Sequence, residues 1–190
     1  MNTLIITAHP ASWGFTHTIA SRYQEEREHQ GGTVQLIDLY QDRQQPFLSF
    51  EDMEVMETTP EQAYYQEKIS WADELVMIYP SWWMWMPAIM KNWIDWNFAS
   101  DFAFRFVEEN GKVKQEKLLQ GKTVRFFVTG DGPGFLYALV RPMYKMILGQ
   151  GVMGFCGIKC VSFDIFADMV KKKNDQDRNK MLETVTKRAR

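Results

Sequence analysis

Glu74-Leu75-Val76-Met77-Ile78-Tyr79 is apolar from its second residue on, and Pro80-Ser81-Trp82-Trp83-Met84-Trp85-Met86 follows it directly. A short apolar run without polar alternation reads as a strand covered on both faces, as strands are in a parallel sheet. Pro87 then opens a helix, at a position where its missing N–H costs nothing. Working outward, residues 3–8, 34–38 and 123–129 are further β-rich runs. Residues 161–166 alternate apolar and polar, as an edge strand with one wet face would. Helical stretches separate them, at about 18–30, 60–71 and 136–152, with Gly31-Gly32 stopping the first. The polar tail, 168–190, also reads as helical. Strands alternating with helices require crossover connections. The expected fold is therefore α/β, a three-layer sandwich of a five-stranded parallel sheet with helices on both faces. Ligands in such folds bind beyond the carboxyl ends of the strands, where the strand order switches. The loops after the first, third and fourth runs are the ones to read.

Length and composition agree. At 190 residues the chain suits one domain, 1–190, with a sizeable core. A net charge of −2 argues against nucleic-acid binding by bulk charge. Two cysteines, Cys156 and Cys160, make neither a disulfide framework nor a zinc site, and they read as packing residues. Five of the seven tryptophans fall between Trp82 and Trp96, and no charged residue occurs from Leu75 to Met90. That run is short for a bilayer span and is broken by Pro80 and Pro87, so no integral membrane segment is expected. No signal peptide is read, and a cytoplasmic protein is the expectation. Lys171-Lys172-Lys173 reads as a solvated patch.

The first loop, His9-Pro10-Ala11-Ser12-Trp13-Gly14-Phe15-Thr16, puts His9, Ser12 and Thr16 near a helix N-terminus. Free N–H groups and the helix dipole make that an anion site, although on this loop alone helix capping by Ser12 or Thr16, with His9 packed locally, is the better reading. In the second loop, three tryptophans and two methionines are costly to leave wet and match a flat heteroaromatic ligand. A core plug or dimer contact is the plainer reading. Met86, Ile89, Met90, Trp93 and Ile94 share one helix face opposite Lys91 and Asp95. Trp93 is therefore core, while Trp82, Trp83 and Trp85 precede the helix and point to ligand. The third loop, Thr129-Gly130-Asp131-Gly132-Pro133-Gly134, permits close backbone approach and exposes N–H groups, as does an ordinary turn. Tyr137 follows with a phenol that can donate. The weight lies in all three loops meeting at one rim.

Thr7-Ala8-His9-Pro10 with Phe15-Thr16 resembles a known strand-one signature. Pro80-Ser81-Trp82-Trp83-Met84-Trp85-Met86-Pro87-Ala88-Ile89-Met90-Lys91 is similar to a second one. Phe102–Phe106 and Phe155-Cys156-Gly157-Ile158 are similar to two further segments. The family is the flavodoxin-like NAD(P)H:quinone oxidoreductases, the DT-diaphorase-like group. It also holds ancillary subunits of glutathione-gated potassium efflux systems.

The resemblance implies a bound flavin, FMN or FAD, and a homodimer with sites at the interface. It implies two-electron hydride transfer from NAD(P)H through flavin N5 to a quinone or similar acceptor. His9, Ser12, Phe15 and Thr16 would meet the flavin phosphates, and Pro80, Ser81, Trp82, Trp83 and Met84 its ring system. Thr129, Gly130, Asp131 and Gly132 would meet the pyrimidine edge. Trp85, Phe104, Arg105 and Phe106 would line the substrate site, and Tyr137 would be catalytic. Thr16 stands where the family has Asn, and Asp131 where it has glycine. No histidine here matches the family's relay histidine. The alternatives are a regulatory flavoprotein subunit of a potassium efflux system and a flavodoxin-type electron carrier. The chain is less acidic than such carriers.

Overall fold

A computed structural model describes residues 1–43, 45–49, 57–171 and 174–190. Parts of the loop after the second strand, and Lys172 and Lys173 of the lysine run, lie outside the described residues. The elements in chain order begin with β1 (Asn2–Thr7), α1 (Phe15–His29), β2 (Thr33–Asp38), α2 (Pro60–Trp71), β3 (Glu74–Pro80) and α3 (Ala88–Asn97). A hairpin follows, β4 (Phe104–Glu109) and β5 (Lys112–Lys117), then β6 (Thr123–Thr129) and α4 (Gly134–Tyr144). The last elements are β7 (Lys159–Phe166) and α5 (Asp175–Ala189). The main sheet is parallel, in the order β2-β1-β3-β6-β7. The fold is α/β, as the alternation of runs implies, and the strand order is the flavodoxin-like one that the resemblance implies.

Period-two alternation sorts each central strand between two cores. Leu4, Ile6, Leu75, Met77, Phe126 and Val128 face α2, α3 and α4. Ile5, Val76, Ile78 and Phe127 face the other way, against Ile19 and Tyr23 of α1 and Val185 of α5. Every residue of β3 is buried, which is why its sequence shows no polar alternation.

Several expectations need correction. The first helix begins at Phe15, three residues early, because Gly14 starts it without a side-chain cap. The helix expected over 136–152 starts at Gly134 and changes to π geometry over Lys145–Met153, just after Pro142. Pro142 removes one backbone donor from the α ladder. The hairpin β4–β5 went unread: its strands carry charged residues on mostly exposed positions. The last strand is not cleanly wet on one face, since Phe163 and Asp164 are both buried. Asp164 is tolerated there because Arg188 grips it through Nε and Nη2.

At the end of the sheet opposite the three loops lies a buried polar cluster. Glu74, 1% exposed, accepts from Arg27 Nη2, Arg125 Nε and the Tyr23 hydroxyl, each at 2.8 Å. Burial, and then the neighbouring Glu74 carboxylate, pushes the Tyr23 phenol well above its ordinary range.

Candidate functional site

The switch in strand order falls between β1 and β3, so the loops after β1, β3 and β6 converge. The first is tightly wound. The Ala11 N–H lies 3.1 Å from His9 Nδ1, and the Gly14 N–H donates to Ala11 O at 2.9 Å. A Cβ on Gly14 would lie 2.7 Å from His9 Nδ1, so that close approach requires glycine. α2 and α5 are capped by the side chains of Thr59 and Asn174, whereas α1 has no side-chain cap. Neither Ser12 nor Thr16 closes that end. Thr16 is 1% exposed, and its Oγ1 is buried without a hydrogen-bond partner among the described residues. Such an orphan is uncommon in native interiors and calls for an explanation.

The second loop is a tight two-residue turn. Trp82 N–H donates to Trp85 O at 2.8 Å, and Trp85 N–H returns to Trp82 O at 3.0 Å. Between them Trp83 and Met84 have φ of 51° and 59°, the geometry that Asn-Gly ordinarily supplies. Bulky residues there cost ~1–3 kcal/mol each and tend to mark functional loops. The turn holds the Trp83 side chain fully exposed. Trp85 instead packs on Tyr144, ring centroids 5.8 Å apart, and the Tyr144 hydroxyl donates to Met84 O. Burial raises the Tyr144 phenol above its ordinary value.

The third loop is stitched to its neighbours. Ser81 N–H donates to Thr129 O at 2.6 Å, and Gly130 N–H to Phe166 O at 2.9 Å. Together the loops form a cleft of about 180 Å³ lined by His9, Phe15, Thr16, Pro80, Ser81, Trp82, Thr129, Gly130, Asp131 and Met169. Nine of these ten are among the residues the sequence singles out. Ser12 is exposed, and it, Trp83, Met84 and Gly132 border the same loops without lining the cleft. Trp85 sits behind the turn, against the core.

Two contributors were missed. Met169 enters from the segment after β7. Arg178 of α5 does not line the cleft but stands against its wall, its guanidinium 5.7 Å from the Phe15 ring centroid, with Nε buried and without a partner among the described residues. Sequence reading gave the tail only a helical character, and no local motif marks Arg178.

Tyr137 is buried, and the atoms a Cβ on Gly130 would meet are its hydroxyl and ring. Its ring also lines a shallower groove of about 470 Å³ between α4 and α5 over the β7 edge. That groove starts at Gly134, the end of the third loop, and runs away from the cleft, and its Arg141 is committed to Phe163 O at 2.9 Å. Phe104, Arg105 and Phe106 lie on the β4–β5 hairpin and do not line the cleft of their own chain. Arg105 pairs with Glu116 at 2.6 Å, and Phe104 and Phe106 pack on Phe155.

Trp93 and Trp96 are structural. Trp93 is 2% exposed, and Trp96 is buried with Nε1 donating to Pro46 O. Asp95 pairs with Lys91. Burial pushes the Cys156 thiol up to about 11, and it also raises that of Cys160, as packing residues require. Among the described residues no cluster could hold a metal, and no helix is long and apolar enough to cross a membrane.

The flavodoxin-like fold family matches residues 1–189. A Haemophilus influenzae protein, named an uncharacterized NAD(P)H oxidoreductase, is 33% identical over 189 residues, covering 96% of this chain and 91% of its own length. Human ribosyldihydronicotinamide dehydrogenase (quinone) is 26% identical over 184 residues, covering 84% and 78%. The crystal structure of Smu.1420 from Streptococcus mutans UA159 superposes with a TM-score of 0.82 at 30% identity, covering 100% of this chain and 99% of that one. The chain belongs to the flavodoxin-like fold family, in the branch of the NAD(P)H:quinone oxidoreductases that its tryptophan-loop signature resembles.

Proposed function

We propose that this chain is a flavin-dependent NAD(P)H:quinone oxidoreductase acting as a homodimer. The observation that carries the reading is the buried Thr16 hydroxyl, left without a partner among the described residues at the α1 N-terminus, where no side chain caps the helix and Phe15 and Thr16 line the cleft. A phosphate oxygen satisfies such a hydroxyl, and the helix dipole favours its charge. The buried, unpartnered Arg178 Nε beside Phe15 supplies a fixed positive charge to the same place.

When bound, a flavin supplies the hydride chemistry between NAD(P)H and an electron-poor acceptor such as a quinone. The protein holds it. Thr16, the first amides of α1 and Arg178 take the phosphate end. Pro80, Ser81 and Trp82, with Trp83 and Met84 beyond them, would line the ring system through their side chains, since the Ser81 and Trp82 N–H groups are committed to Thr129 O and Trp85 O. Thr129, Gly130 and Asp131 would line its polar edge, and the Asp131 N–H, which takes no part in the hydrogen bonds of the loop, would be the fixed dipole that stabilises charge there without reorganising. The Tyr137 hydroxyl backs that loop at Gly130, and we assign it the proton-holding role there. Replacing Tyr137 by Phe is expected to slow flavin reduction by NAD(P)H in stopped flow; an unchanged rate removes it from the mechanism.

A cleft of about 180 Å³ is small for such a ligand, since sites of this kind run to ~300–1,000 Å³. Large apolar side chains stand in solvent on the helix after the third loop and on the second loop: Phe135 is 77% exposed, Leu139 75% and Met146 57%, with Trp83 fully exposed. Exposed apolar side chains of this kind suit an interface. A second copy laid on them would cover the open side, bringing Phe104, Arg105 and Phe106 of the hairpin to the substrate position. The test is titration of flavin-free protein with FMN and with FAD, followed by mass identification of the flavin released from cells. Uptake of one of them, with dimers by light scattering, is expected. Protein that binds neither overturns the reading.

A further inference from the structure

The glycine-rich loop 130–134 holds its shape through one residue on the far side of β7. Asp168 stands at φ 58°, in the left-handed region that Asp tolerates better than most residues. In that conformation its N–H donates to Gly132 O at 3.1 Å, and the next N–H, of Met169, donates to Gly130 O at 3.1 Å. Its Oδ2 accepts from Gly134 N–H at 3.0 Å, closing the first turn of α4. Its own carbonyl is held by Lys171 N–H at 2.9 Å. Gly130 N–H is already spent on Phe166 O. The carbonyls of Gly130 and Gly132 and the N–H of Gly134 are thereby drawn toward the β7 side. The N–H groups of Asp131 and Gly132 take no part in this clasp.

We propose that Asp168 is a positioning residue for the reaction: it clasps loop 130–134 so that Asp131, which lines the cleft, keeps its amide in place for the ligand edge. This rests on the flavin reading above. Asp168 touches neither ligand nor reacting atoms and acts only through the loop. Amides fixed in this way favour the more negative, reduced ligand over the oxidised one. Loosening them weakens binding of the reduced form more than that of the oxidised form.

Three variants separate the contributions. Asp168→Asn keeps both the left-handed tolerance and an oxygen for Gly134 N–H. Asp168→Gly keeps the backbone conformation and loses the oxygen. Asp168→Ala loses the oxygen and strains the backbone. The readouts are the midpoint potential of the bound flavin, its dissociation constant, and amide exchange across 130–134 in flavin-free protein. Asp168→Asn is expected to match wild type. Asp168→Gly and Asp168→Ala are expected to exchange faster at the loop and to weaken binding of the reduced flavin about tenfold more than that of the oxidised flavin, roughly the worth of one hydrogen bond. A tenfold bias against the reduced form lowers the two-electron potential by about 30 mV. Should Asp168→Ala fail to fold, Asp168→Gly carries the test. If wild type binds flavin while Asp168→Gly matches its potential and loop exchange, the clasp is overturned and the flavin reading stands. Wild type that takes up no flavin overturns both.

Discussion

Glu74→Ala is expected to destabilise the protein by about 3–5 kcal/mol, the cost of breaking a buried ionic cluster from one side. Glu74 is the only acceptor that unites Arg27, Arg125 and Tyr23 at the base of β3, and its side chain is 1% exposed. Without it, the Arg27 guanidinium, at 10% side-chain exposure, has no counter-charge in this cluster. A loss of that size is a large share of the ~5–15 kcal/mol that holds a typical domain together. Urea denaturation of the flavin-free protein measures it. Glu74→Gln, which keeps an acceptor and removes the charge, is expected to lose less. Because the cluster lies at the sheet end opposite the cleft, flavin affinity of whatever protein remains folded is expected to stay near wild type. A Glu74→Ala midpoint within 0.5 kcal/mol of wild type, a margin typical of surface substitutions, would remove the cluster from the account of stability.

Gly130→Ala is the second large effect, and it acts at the site. A Cβ there would sit 2.1 Å from the Tyr137 hydroxyl and 2.4 Å from its ring carbon Cζ. Neither can yield easily, since Tyr137 is buried between α4 and the loop. The loop must move instead. Overpacking of this kind costs ~1–3 kcal/mol. A displacement of about an ångström at a positioning loop can cost ~100-fold in turnover. We expect both, read as a lowered unfolding midpoint and a comparable drop in NAD(P)H-dependent quinone reduction. A second-site change identifies the cause. Tyr137→Phe removes the hydroxyl but leaves the ring carbon in the way, so it restores little. Tyr137→Leu vacates the space, and the double variant is expected to be less destabilised than the two single losses together. Full additivity would show that the clash is not the mechanism.

The sequence made some of this architecture plain and hid the rest for identifiable reasons. Unbroken apolar runs such as Glu74–Pro80 announce a buried parallel strand, and such runs set the whole sheet. The rim was legible because topology alone says which loops meet, and nine of the cleft's residues lie on those three loops. The β4–β5 hairpin was not legible, because strands standing mostly in water need no apolar pattern. Arg178 and Asp168 were hidden for another reason. Each acts on a loop more than 30 residues away in sequence, through one side chain in a polar stretch where such residues are ordinary. The tryptophan cluster divides as its helical spacing suggests. Trp93 is core, and Trp82 and Trp83 belong to the rim. Trp85 went to Tyr144, because the tight turn at Trp83-Met84 reverses the chain and folds it inward.

The central claim is that the cleft turns NAD(P)H oxidation into two-electron reduction of a quinone-like acceptor through a bound flavin. The most direct measurement follows flavin absorption of the purified holoprotein under anaerobic conditions, first with NADH or NADPH and then with a quinone. The account predicts a yellow protein that bleaches with one equivalent of pyridine nucleotide and recovers its full colour with one equivalent of quinone, with no partner protein present. A holoprotein that keeps its colour with both nucleotides would contradict it.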